Sequence, residues 1–94
     1  MSGKVTLFVS DISGNKETKK RQQHMRTQLE AHKVPFDVID VAQDSDALDR
    51  MRELVGDEEA LAPQIANGDE YCGGFEEFEA AIEGETLGEF LKLK

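Results

Sequence analysis

Apolar residues recur along the chain with a period that changes from segment to segment. Val5-Thr6-Leu7-Phe8-Val9 is an uncharged β-branched and aromatic run, the composition of a strand covered on both faces. The polar cluster Ser13-Gly14-Asn15 ends it, and Ser13 and Asn15 are both suited to cap a helix start. From Lys16 to about His32, Thr18, Gln22, Met25 and Leu29 follow helical spacing, but only Met25 and Leu29 are firmly apolar. This helix is therefore predicted to bury a narrow stripe. Lys33-Val34-Pro35 closes it, and Phe36-Asp37-Val38-Ile39-Asp40-Val41 reads as a second strand with Phe36, Val38, Ile39 and Val41 buried. Strand, helix and strand within about 37 residues form a βαβ unit, whose strands must run parallel.

The second half carries sharper signals. Asp44 or Ser45 caps a helix with a full apolar face of Ala47, Leu48, Met51, Leu54 and Val55, with Asp46 and Asp49 near its positive end and Gly56 as its stop. Residues 57–62 form a loop. Pro63-Gln64-Ile65-Ala66, then Asn67-Gly68, then Asp69-Glu70-Tyr71-Cys72 read as a hairpin, because Asn-Gly suits a two-residue type I′ turn. Two short helices follow. One starts at Gly73-Gly74 and buries Phe75, Phe78 and Ile82; the other opens with the capping box Thr86-x-x-Glu89 and buries Leu87, Phe90 and Leu91. The predicted order is β-α-β-α-β-β-α-α in a single α/β domain spanning 1–94.

Composition narrows what such a domain can do. The 94 residues suffice for one domain, and no run of about 18 apolar residues exists to span a membrane. The apolar start is too short for a signal-peptide core, and one cysteine cannot form an internal disulfide, so a reducing, cytoplasmic setting is expected. No metal is expected: there is no Cys/His cluster, His24 and His32 lie eight residues apart on a polar helix, and Asp44-x-Asp46 lacks the rest of a calcium loop. The net charge of −9 is divided unequally. Residues 1–33 hold seven bases against three acids, and residues 34–94 four bases against seventeen acids. A field of that sign repels phosphates, so nucleic acid is not an expected partner. Lys19-Lys20-Arg21 reads as a solvated helix face.

The element order is the plan of the thioredoxin fold, with a four-stranded mixed sheet flanked by helices. Two segments resemble glutaredoxins: Leu61-Ala62-Pro63 stands where that family has Thr-Val-Pro with a cis-proline, and Cys72-Gly73-Gly74-Phe75-Glu76 is similar to its Ile-Gly-Gly-x-Asp turn. Over nearly its whole length the chain resembles the Src-homology-3-domain-binding glutamic-acid-rich-like proteins, a glutaredoxin-related family. The residues that carry this are the Met-Ser-Gly start, Gln43-Asp44, Pro63-Gln64-Ile65-x-Asn67-Gly68-Asp69-x-Tyr71-Cys72-Gly73 and Glu89-Phe90-Leu91-Lys92-Leu93. The resemblance implies a thioredoxin fold without redox cysteines, a cytosolic and sometimes nuclear protein, and a modulator of glutaredoxin. It also implies that Pro63 is cis.

The chemistry of the residues agrees. A glutaredoxin's thiolate sits at the start of the first helix, where free N–H groups and the helix dipole lower its pKa. Here that corner reads Ser13-Gly14-Asn15-Lys16, so no thiol is available for exchange, and Ser13, without an evident base, is read as a cap and not a catalyst. Cys72 is read as a small apolar strand residue; as an alternative it is a modifiable thiol in a weak glutathione-binding or thiol-redox protein. By resemblance, a vestigial glutathione groove would comprise Ser13, Lys16, Ala62, Pro63, Gly73, Gly74 and Glu76, with Lys19 or Lys20 as other sources of positive charge. Glutathione is expected to bind weakly or not at all, and no other cofactor is expected. Longer family members carry a proline-rich stretch, but this sequence has one proline there and no P-x-x-P, so direct Src-homology-3 binding is not expected. The leading expectation is a monomeric, non-catalytic module that binds protein partners.

Overall fold

The computed structural model describes residues 4–11 and 15–93. In chain order the elements are β1 (Val5–Val9), α1 (Lys16–Ala31), β2 (Phe36–Asp40), α2 (Ser45–Val55), β3 (Gln64–Asn67), β4 (Glu70–Gly74), α3 (Phe75–Glu83) and α4 (Leu87–Phe90). The sheet order is β2-β1-β3-β4: β1 pairs parallel with β2 and antiparallel with β3, and β3 pairs antiparallel with β4. This is the thioredoxin-like plan, and the Ala62-Pro63 peptide bond is cis.

Alternation along β1 builds both halves of the core. Val5, Leu7 and Val9 point to one face, where Met25 and Leu29 of α1, Phe78 of α3, and Leu87 and Leu91 of the C-terminal segment cover them. Phe8 points to the other and packs with Val41, Met51, Ala60 and Ala66. Helix α2 closes that second face through Met51, which is fully buried, while Ala47, Leu48, Leu54 and Val55 are half-buried around it. Strand β2 departs from expectation. It is an edge strand, so Phe36 and Ile39 are only half-buried and Val38 is exposed, because no further strand or helix among the described residues covers that position.

The helix ends follow local chemistry. Asn15 caps α1, its Oδ1 accepting from the N–H groups of Glu17 (2.9 Å) and Thr18 (3.3 Å); the reading of Ser13 as a cap lies outside the described residues. Asp44 caps α2 in the same way through Asp46 N–H (3.0 Å) and Ala47 N–H (3.2 Å). Helix α1 ends in a Schellman motif, with Val34 N–H bonded to Leu29 C=O, Lys33 N–H bonded to Glu30 C=O, and Lys33 at φ 58°. The side chain of Thr86 makes no capping hydrogen bond, so the expected box at α4 does not form.

The hairpin turn is shifted by one residue from its expected place. Asn67 pairs with Glu70, which leaves Gly68-Asp69 as the turn, and positive φ is confined to Gly68 at 60°. That is the II′ arrangement, with glycine first. Asn67 is instead a buried strand residue whose Nδ2 donates to Leu91 C=O at 2.7 Å, tying the C-terminal segment to the sheet. Likewise buried, Gln22 of α1 accepts from Ser10 N–H at 2.9 Å and satisfies the backbone where β1 ends.

Two stability changes follow. Asn67→Ala leaves the Leu91 carbonyl without its donor and is expected to cost about 1–3 kcal/mol in denaturant unfolding. Lys33→Gly relieves a left-handed residue at an exposed helix end and is expected to add up to about 1 kcal/mol in the same measurement.

Candidate functional site

Five residues singled out by sequence, Ala62, Pro63, Gly73, Gly74 and Glu76, lie where β3 begins and β4 runs into α3. Strand β4 carries a bulge: Ile65 pairs with Gly73 and Ala66 with Tyr71, leaving Cys72 as the extra residue. The chain leaves the bulge through Gly73 at φ 155°, where an added Cβ would lie 2.8 Å from the Phe90 ring and 2.9 Å from Glu77 Cβ. Any side chain there would push α4 away. Gly74 in turn lies close to Gln64, whose Oε1 would be 3.2 Å from an added Cβ.

Between these segments lies a groove of about 250 Å³. Leu61, Ala62 and Pro63 form one wall, and Gly74, Phe75, Glu76 and Glu77 the other. Gln64 braces the two, its Nε2 donating to Leu61 C=O at 2.9 Å and its Oε1 accepting from the Tyr71 hydroxyl at 2.7 Å. Burial, reinforced by the Glu77 and Cys72 charges, raises the Tyr71 pKa and keeps that hydroxyl a donor. Glu77 Oε1 accepts from Gly74 N–H at 2.8 Å, securing the start of α3. The backbone of Ala62 makes no hydrogen bond, either through N–H or C=O, among the described residues.

Arg21 of α1 completes the lining. Its Cζ stands 4.9 Å from the centroid of the Phe75 ring, and Nη2 lies 2.5 Å from Glu17 Oε1. His24 meets the same ring edge-on at 6.1 Å, with its Nε2 2.7 Å from Glu79 Oε1. Thus one aromatic side chain joins α1 to the mouth of the groove.

Of the expected groove residues, Ala62, Pro63, Gly74 and Glu76 line it together. Gly73 sits behind, under Phe90, and Lys16 is exposed at the start of α1 without lining it. Lys19 lines a separate hollow of about 270 Å³ with Gln22, Gln23 and Arg26, and Lys20 is exposed. The cation at the groove is therefore Arg21, which sequence reasoning passed over inside a run read as solvated. Its spacing of four from Met25, beside the buried stripe, was the available signal. Leu61, Gln64, Phe75 and Glu77 were also missed as groove residues. A larger hollow of about 570 Å³ after α2 is lined by Asp49, Arg52, Glu53 and residues 56–58, with no apolar side chain.

Cys72 does not line the groove. It is half-buried against the cluster that contains Leu7 and Phe78, and burial raises its pKa; Lys92 and an Asn67 hydrogen bond oppose this, and Glu70 adds to it. His32 Nδ1 lies 2.8 Å from Gln28 C=O at the end of α1, and Asp44 serves as a cap.

Residues 3–94 match the model of the family described as SH3-binding, glutamic acid-rich protein. The chain belongs to this family. It is 38% identical over 101 aligned positions to the "SH3 domain-binding glutamic acid-rich protein homolog" of Drosophila melanogaster, covering 93% of the chain. The chain spans 63% of that relative's length. Among solved structures it is similar to the C. albicans actin interacting protein Aip5, with TM-score 0.80, 24% identity and coverage of 97% of this chain and 90% of that one. It is also similar to a buckwheat glutaredoxin in complex with glutathione, with TM-score 0.68, 14% identity and coverage of 94% and 76%. These two likenesses show the fold, which is thioredoxin-like.

The raised thiol pKa has a kinetic consequence. Alkylation of Cys72 by iodoacetamide at neutral pH is expected to be slower than that of free cysteine, with its pH midpoint displaced upward; mass spectrometry across pH checks this.

Proposed function

We propose that this chain is a non-catalytic interaction module of thioredoxin fold, acting as an adaptor or a modulator of glutaredoxin. The observation that supports this most is the place of its one cysteine. Cys72 lies in a bulge with its thiol held toward the neutral form, away from the groove lining, so it is poorly set to attack a disulfide presented there. The segment 13–16, Ser-Gly-Asn-Lys, supplies no alternative thiol.

Glutathione fits the groove poorly. Its net negative charge would meet the carboxylates of Glu76 and Glu77, while the nearest cation, Arg21, is already engaged by Glu17 and the Phe75 ring. The proposed module thus has no resident cofactor, and its glutathione affinity is weak or absent. On this reading its setting is the reducing cytosol, and also the nucleus, and its ligands are proteins. The family name speaks of SH3 binding and Aip5 is an actin interacting protein, which favours the same role.

A glutaredoxin mixed-disulfide assay tests the proposal. Wild type and Cys72→Ser are both expected to show no turnover above background; turnover that disappears in Cys72→Ser would identify a thiol-redox protein instead.

A further inference from the structure

We infer that the groove between Pro63 and Phe75 receives an extended segment of a partner protein that carries lysine or arginine beside an apolar residue. This rests on the interaction-module reading and adds the chemistry of the ligand. Three features of the groove carry it.

The first is backbone. Ala62 offers both N–H and C=O, whereas the Leu61 carbonyl is taken by Gln64 and Pro63 has no N–H. An incoming antiparallel strand can therefore exchange one close pair of hydrogen bonds at Ala62 and cannot zip further. Such pairing gives orientation but little affinity. The second is apolar surface. Leu61 is 72% exposed at the rim, and Phe75 faces it half-buried, so an apolar side chain next to the paired residue has two partners.

The third is charge. Both acids of the lining, Glu76 and Glu77, are exposed on the α3 wall, and Glu77 uses only one oxygen on Gly74 N–H. Arg21 is neutralised locally by Glu17, and Lys16 and Lys20 do not line the groove. Every lining residue except Arg21 comes from residues 34–94, where acids outnumber bases seventeen to four. A cationic side chain is thus drawn in by the long-range field and met by carboxylates at contact. An acidic segment would meet repulsion at both ranges.

The test uses the full ¹⁵N-labelled chain and two end-blocked peptides of equal length, alternating valine with lysine or valine with glutamate, at low salt. The lysine peptide is expected to shift the amides of Ala62, Gln64, Gly74, Phe75 and Glu76; the glutamate peptide and S-methylglutathione are expected to leave them unmoved. Leu61 and Glu76 are exposed, so their variants retain the fold. Glu76→Lys should weaken binding roughly two- to fivefold, and Leu61→Ser about tenfold. The inference is overturned if both peptides bind equally, if neither binds, or if the lysine peptide moves only the acidic hollow around residues 49–58. It is also overturned if groove signals move on dilution of the protein alone, which would mean that a second copy covers the groove. The mixed-disulfide assay on the same samples separates the two levels. Peptide failure without turnover removes only the ligand class, and turnover removes the module.

Discussion

The structure depends on β1 being apolar on both faces. A strand of five residues with no charge can be stable only if two layers cover it, and here α1 and α3 cover one face while α2 covers the other. Everything else is arranged by that need. Strand β2 returns parallel because α1 must cross over one face, and β3 enters antiparallel on the other side because the chain then comes back through the loop after α2. The cost is borne at the margin, where β2 is an edge strand and leaves Val38 in solvent.

The groove arises where that packing has to end. Pro63, immediately before β3, can donate no backbone hydrogen bond, so regular pairing stops there and Ala62 is left with its backbone unpaired among the described residues. On the opposite wall the bulge at Cys72 and the two glycines swing the chain from β4 into α3 without an intervening loop. Gly73 is needed because Phe90 and Glu77 occupy the space of its missing side chain, whereas a side chain at Gly74 would crowd only the end of Gln64. The same contacts that seal the core under α4 thus hold open the concave edge beside the proline.

The same arrangement bears on the proposed binding role. Electrostatics at a helix start can stabilise a thiolate or an anionic ligand only if opposing carboxylates are absent. Here Glu76 and Glu77 stand in the groove, Glu17 engages Arg21, and the one thiol sits in the bulge under a desolvation penalty. Each of these is a local choice of side chain on an unchanged backbone plan, which is why fold and activity can separate.

The sequence by itself determined the elements, their order and the fold class, because hydrophobic period, caps and glycine stops are local properties that survive any packing. It also singled out, by resemblance, Ala62, Pro63, Gly74 and Glu76, which the fold brings together along one hollow. It misplaced the hairpin turn because Asn67-Gly68 has good turn chemistry locally, whereas burial of Asn67 against Leu91 is a contact between residues far apart in sequence. It passed over Arg21 and Phe75 for the same reason, since a basic run and a core aromatic look ordinary until α1 and α3 are brought side by side. The tertiary structure alone decided that Val38 is exposed, that Cys72 turns from the groove into a bulge, and that Arg21 is the cation at its mouth. Those outcomes depend on which strand is the edge, where pairing slips by one residue and which helix faces which. Such relations are set by distances between remote segments, and no local pattern encodes them.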